Sequence, residues 1–436
     1  MLTEQSSSTY NWGISSDSET ASARSRKNAD NPDSIAALRK TAGRKSNQEG
    51  RRFVSTAAAR QSRSCARKIS TTPQIPSMTN TNHKSSAPLV QQNFFPALNY
   101  TTIHTFAFRR QNFRAFSCLS LLKKCFQELI MPDISVQLGS LFLRNPVITA
   151  SGTFGYGREY QDLLPFEALG AITVKGVSPF PSDGNSMPRT VEVYGGMLNA
   201  IGLQNPGLEK FIHDPDYLPF LRTVPCPVIV NIWGRTIAQY AEVAERLEAE
   251  KQGIAALEIN ISCPNIKEGG IAFGTDLVQA AAVVSAVRKV TTLPLITKLS
   301  PNVTRIGDFA RCAVDHGSDM ISLINTIPGM AIDLETRKPR IANITGGYSG
   351  PGIKPIALRM VYEARKAVKV PIIGMGGISN ATDALEFLVA GANAVAIGTA
   401  IFSNPKCLLE IPEGIKAWLD EHNIASITEI IGTLKA

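Results

Sequence analysis

The sequence predicts an α/β protein: a closed (β/α)8 barrel of the TIM type over residues 131–436, preceded by an extension, residues 1–130, expected to be disordered. Three observations predict it. The chain has 436 residues, too many for one ordinary domain but suited to a barrel of about 250 residues or more with an appendage. After Met131, short β-branched apolar runs bounded by Gly, Pro and Asn alternate with longer stretches of helical period, as in repeated βα units around a parallel sheet. Polar residues gather just past those runs while the runs stay apolar, which suits a barrel whose active site lies at the C-terminal ends of its strands.

The extension comes first. Residues 1 to about 86 are rich in Ser, Thr, Ala, Asn and Arg with little apolar periodicity, so they cannot bury enough surface to offset their ordering entropy. Residues 51–70 (RRFVSTAAARQSRSCARKIS) resemble an organellar transit peptide in composition, but a presequence sits at the extreme N-terminus. There the chain has Glu4, Asp17 and Glu19 and no Arg before Arg24. Residues 113–130 have the pattern of an amphipathic, membrane-skimming helix. The plainer account is a disordered basic extension, for which an over-extended reading frame rather than a working domain is one hypothesis.

Charge divides in the same way. Residues 1–130 hold 19 Lys and Arg against 7 Asp and Glu, and the remainder holds 26 against 29, within a total of +9. The barrel is thus mildly acidic, and no nucleic-acid binding is expected. No run approaches the roughly 20 apolar residues of a spanning helix, so no membrane insertion is expected. The seven cysteines, at 65, 118, 125, 226, 263, 312 and 407, include no C-x-x-C pair. That argues against a disulfide framework, a metal site or an iron–sulfur cluster on this chain, and for a reducing, cytoplasmic setting.

Eight runs read as strands: 146–150, 171–174, 228–232, 256–261, 295–299, 320–325, 372–375 and 394–397. Helical patterns fill 236–252, 275–290, 356–368 and 380–390. The gaps after the second and sixth strands are far longer than one helix needs, and long loops on this fold usually carry function. At or just past the strand ends stand Ser151, Lys175, Asn231, Asn260, Cys263, Lys298, Asn325 and Thr326.

Glycine turns close the last two strands, Gly374-Met-Gly376-Gly377 and Gly398-Thr399. One such turn alone reads as a tight βα connection, but a pair at strands seven and eight is where barrels build phosphate sites. Neither turn is a dinucleotide fingerprint, so any NAD must bind elsewhere. Asn260-Ile-Ser-Cys263-Pro-Asn265 sets a thiol between two carboxamides at the barrel mouth. A lone Cys is commonly a small buried hydrophobe; here it suits a general base, or a nucleophile if a His activates it. None of the five His follows a predicted strand. Lys175 and Lys298 read as countercharges for an anionic cofactor and substrate, with a Schiff-base role as the sharper alternative. Residues 199–207 (NAIGLQNPG) offer glycines and carboxamides to a small polar ligand.

Together with ASGTFGYG (150–157), VKG (174–176), TKLSPN (297–302), INT (324–326), GMGGI (374–378) and IGTA (397–400), these segments resemble the class 1B, NAD-linked dihydroorotate dehydrogenases, catalytic flavin subunit. The resemblance spans 131–436 and none of 1–130. It implies FMN contacts from Ser151, Lys175, Gly176, Asn231, Asn260, Lys298, Ile324, Gly350, Gly376, Gly377, Gly398 and Thr399. For the pyrimidine and its carboxylate it implies Lys175, Asn199, Ala200, Ile201, Gly202, Leu203, Asn260, Asn325 and Thr326, with Cys263 as the base. It further implies oxidation of dihydroorotate to orotate in pyrimidine biosynthesis, and a heterotetramer of two barrels with two partner subunits carrying FAD and a 2Fe–2S cluster that pass electrons to NAD. The rival reading is a flavin dehydrogenase of an uncharged dihydropyrimidine.

Overall fold

A parallel strand covered on both faces needs apolar side chains along its length, and the eight runs supply them. In the computed structural model, which describes residues 131–262 and 273–435, all eight join one parallel sheet. They are β1 (Val147–Thr149), β2 (Ile172–Val177), β3 (Val228–Ile232), β4 (Ala256–Asn260), β5 (Leu295–Lys298), β6 (Met320–Leu323), β7 (Ile372–Met375) and β8 (Ala394–Ile397). Hydrogen-bonded neighbours run β1–β8–β7–β6–β5–β4–β3–β2. The Ile148–Ala171 bridge then joins β1 to β2 and closes the barrel.

That seam is narrow, and a side chain holds it. Thr149, fully buried, donates its backbone N–H to Ala171 O at 3.3 Å. The Thr173 N–H donates to Thr149 Oγ1 at 2.8 Å, and the hydroxyl donates onward to Thr173 O at 3.2 Å. One hydroxyl therefore satisfies both backbone groups of Thr173 where the strands are too short to pair further.

The four expected helices form as α1 (Ile237–Ala249), α2 (Leu277–Val290), α4 (Lys354–Ala367) and α5 (Ala381–Ala390), and α3 (Ile306–Asp315) and α6 (Cys407–Glu421) extend the ring. Capping side chains set three of the starts: Thr236, Asp276 and Asn380 accept the N–H of Gln239, Gln279 and Asp383. Gly391, with φ +118°, ends α5 in a conformation that a side chain disfavours.

The two long gaps become a single structure. Strands Thr190–Val193 and Gly196–Asn199 from the first, and Ile327–Met330 and Thr345–Ser349 from the second, form a four-stranded antiparallel sheet with its own small core of Leu198, Ala200 and Ile341. Asn199 thereby pairs with Gly347, 148 residues along the chain. The expectations for residues 1–130 and for Cys263 lie outside the described residues. Among the described residues no helix is long and apolar enough to cross a membrane.

Thr149→Val keeps the shape of the side chain but strands both backbone groups of Thr173. We expect a loss of about 1–3 kcal/mol in urea unfolding; an unchanged midpoint would mean that the hydroxyl does not hold the seam.

Candidate active site

Side chains on a strand alternate between faces with a period of two, so Glu258 and Asn260 share one face of β4. Across the ladder Asn231 is partnered with Glu258, and Lys298 with both Asn260 and Ser322. The face they share is the barrel interior, because Ser322 on β6 reaches past β5 to donate its hydroxyl to Glu258 Oε1 at 2.7 Å. Asn231 donates Nδ2 to Glu258 Oε2 at 2.6 Å, and Lys298 Nζ lies 4.0 Å from the same oxygen. Lys298 also crosses the barrel to donate to Ser151 Oγ, past the end of β1, at 3.1 Å. Asn231, Glu258, Lys298 and Ser322 are all at most 5% exposed, so their charges and dipoles act with little competition from water.

The network continues to the mouth. Asn260 Nδ2 donates to Asn231 Oδ1 at 3.4 Å, and Asn260 Oδ1 accepts from Ser262 Oγ at 3.0 Å. Asn325 Nδ2 donates to Ser262 Oγ at 2.9 Å, and Asn325 Oδ1 accepts the Thr326 N–H at 2.7 Å. From the α1 side, Tyr240 fixes the end of β4 by donating its hydroxyl to Asn260 O at 2.8 Å.

On β2 the register with β3 shifts between Val174 and Val177, a bulge of the kind that re-aims a side chain beside a site. Lys175 and Gly176 occupy it. A Cβ at Gly176 would stand 2.7 Å from Asn231 Oδ1 and 3.0 Å from Trp233 Cδ1, so only glycine lets β2 close on the Asn231 amide. Trp233 Nε1, buried in the same place, has no hydrogen-bond partner among the described residues. Burial pushes the Lys175 ammonium below its ordinary pKa, the Arg189 cation pushes it further, and Glu159 opposes the shift. Arg189 is anchored to Gln204 Oε1 at 2.6 Å, which ties the loop through Asn199, Ala200, Ile201, Gly202 and Leu203 to the cationic side of the mouth. Ala200 is fully buried and bonds Arg189 and Asn185 through its backbone. Gly202 and Leu203 turn the loop with φ of +76° and +57°.

Three glycine turns meet on the opposite side. A Cβ at Gly377 (φ +78°) would lie 2.9 Å from Gly350 O, and one at Gly376 (φ +128°) 3.4 Å from Ile324 Cγ1. Thr399 donates its hydroxyl to Ser349 Oγ at 2.8 Å, beside Gly350. At Gly398 a Cβ would meet nothing nearer than Ala150 Cβ at 3.6 Å, leaving the backbone there approachable. Turns that follow β6, β7 and β8 thus converge where a barrel binds phosphate. With two lysines, three carboxamides and an unpartnered indole N–H beside them, this donor set fits a flat, hydrogen-bonding, phosphorylated cofactor such as FMN and a small anion.

The sequence-predicted residues are therefore gathered at one end of the barrel, with Cys263 outside the described residues. Glu258, Ser262, Ser322 and Arg189 belong to the same constellation and went unremarked in the sequence. Glu258 carried a signal: it is the one acid within the eight barrel strands.

Comparison with known proteins agrees. The family model for dihydroorotate dehydrogenase matches residues 134–419. A dihydroorotate dehydrogenase B (NAD(+)) catalytic subunit from Geotalea uraniireducens (strain Rf4) is 57% identical over 303 residues, covering 70% of this chain and 98% of that protein. Its counterpart from Pelobacter propionicus is 56% identical over 304 residues, covering 70% and 99%. The crystal structure of DHODH in complex with ferulenol from Eimeria tenella superposes with a TM-score of 0.58 at 23% identity, covering 73% of this chain and 94% of that one, which supports the fold. A match over most of the barrel, and identity above half to relatives spanned almost end to end, mean that this chain belongs to the dihydroorotate dehydrogenase family.

Proposed function

We propose that residues 131–436 form the catalytic domain that oxidises dihydroorotate to orotate, a step of pyrimidine biosynthesis in the cytoplasm. The observation that carries this reading is the placing of Lys175, Asn231, Asn260, Lys298 and Asn325 around one barrel mouth opposite the glycine turns. Cations, carboxamides and backbone donors are what an anionic pyrimidine and a phosphorylated flavin require.

In this reading Ser151, Lys175, Gly176, Asn231, Asn260, Lys298, Ile324 and Gly350 hold FMN together with the turns at Gly376, Gly377, Gly398 and Thr399. Lys175, Asn199 to Leu203, Asn260, Asn325 and Thr326 hold the substrate ring and its carboxylate. Cys263 Sγ removes a proton from one ring carbon as hydride leaves the adjacent carbon. Bound FMN supplies the two-electron acceptor for that hydride. A thiol with a reference pKa of about 8.5 needs only modest tuning to act near neutrality. A partner subunit with FAD and a 2Fe–2S cluster would carry the electrons to NAD within a heterotetramer; the names of the relatives, each a catalytic subunit, support a division of labour.

Two measurements follow. Cys263→Ala is expected to keep its yellow colour and bind orotate while flavin reduction by dihydroorotate slows roughly 10²–10⁴-fold, the worth of a positioned base; wild-type reduction rates would assign the proton to another group. Orotate affinity is expected to fall as pH rises through the lowered Lys175 pKa, at a midpoint below 10.5, because the ammonium that faces the anion is lost. Stability of the ligand-free protein responds with the opposite sign. Between the lowered value and 10.5 the unfolded chain holds the extra proton, so rising pH favours the fold. Lys175→Met should flatten the binding profile, and a profile unchanged by that substitution would remove Lys175 from the anion site.

A further inference from the structure

Each carboxamide in the site has two faces that differ only in whether they donate or accept, so something must decide which way each points. The hydrogen bonds run in a single direction. The Thr326 N–H donates to Asn325 Oδ1, Asn325 Nδ2 to Ser262 Oγ, Ser262 Oγ to Asn260 Oδ1, Asn260 Nδ2 to Asn231 Oδ1, and Asn231 Nδ2 to Glu258 Oε2. The series ends on a carboxylate, which when ionised accepts and cannot donate. Its other oxygen accepts from Ser322, and Lys298 Nζ stands 4.0 Å away. Among the described residues Glu258 is the only acid less than a tenth exposed, and nothing in the proposed chemistry uses it directly.

We propose that Glu258 is a positioning residue: its carboxylate is the terminus that fixes the amide orientation of Asn231, so that Asn231 Oδ1 faces Asn260, and offsets the charge of Lys298. A glutamine at 258 could donate as readily as accept, so the Asn231 amide would lose its fixed direction and Asn260 Nδ2 its assured acceptor, while the backbone of Ser262 and Thr326 still holds Asn260 Oδ1 and the Asn325 amide. Lys298 would at the same time become an uncompensated cation inside the barrel, where low local polarity extends its influence.

The inference rests on the reading of the mouth as a flavin and orotate site, and its tests separate the two. With Glu258→Gln, the midpoint potential of bound FMN should move to more positive values, since an uncompensated cation favours the more negative, reduced cofactor. Orotate should bind about tenfold more weakly, the worth of one misdirected buried hydrogen bond. Glu258→Asp, which keeps the charge, should restore most of the potential, and Ser322→Ala, which removes one hydrogen bond and no charge, should leave the potential in place. A Glu258→Gln protein with wild-type potential and orotate affinity overturns the proposal. If that variant does not fold, infrared spectroscopy of the wild-type protein decides. No slowly exchanging carboxylic-acid C=O band is expected at neutral pH, with or without cofactor, and such a band would show Glu258 protonated and overturn the proposal. A wild-type protein that takes up no FMN would count against the flavin reading alone and leave the infrared test standing.

Discussion

A carboxylate and an ammonium buried together inside an apolar barrel are the constraint around which the site is arranged. Taking such ions out of water costs several kcal/mol each even after relaxation, and their attraction repays this only where further hydrogen bonds satisfy the remaining polar atoms. Glu258 and Lys298 meet that condition through Asn231, Ser322 and Ser151. The result is a polar floor across β3, β4, β5 and β6, reaching the end of β1. Above it the carboxamides of Asn260 and Asn325 are set by their neighbours, so ligand groups meet donors already oriented, and less ordering is left for the binding event.

The same economy shapes the rim. A barrel strand ends in a loop, and a loop by itself positions a side chain poorly. Here the loops after β2 and β6 pair with each other as an antiparallel sheet, which gives Asn199 a strand to stand on. The β2 bulge carries Lys175, and the absence of a side chain at Gly176 lets that bulge approach Asn231. Arg189, held by Gln204, places a second positive charge near Lys175, so cations gather at the mouth although residues 131–436 as a whole hold slightly more Asp and Glu than Lys and Arg.

Much of this was legible in the chain. The apolar continuity of the runs from 147 to 397 identified every barrel strand, because burial on both faces leaves a strong one-dimensional signal. β2 runs to Val177, three residues past its expected end at 174, since polar Lys175 and Gly176 hide the continuation of a bulged strand. Helical period placed the helix starts at 236, 275, 356 and 380, within two residues of those observed at Ile237, Leu277, Lys354 and Ala381. The pairing of the two long loops was not legible, since Asn199 and Gly347 meet only after the barrel has brought them together. Nor was the role of Glu258, because one acid in a strand says nothing of which neighbours will satisfy it. The closing hydroxyl of Thr149 is equally silent in sequence, where threonine in a strand is ordinary.

Anion recognition separates the adopted function from its rival. A site with two cations beside carboxamides favours a ring bearing a carboxylate, whereas an uncharged dihydropyrimidine would bring no negative charge to Lys175 and Lys298. The decisive measurement is anaerobic mixing of the FMN-loaded protein with dihydroorotate and, separately, with dihydrouracil, following loss of the oxidised flavin absorbance. The account predicts rapid bleaching by dihydroorotate and none on the same timescale by dihydrouracil. Bleaching by dihydrouracil alone would contradict it.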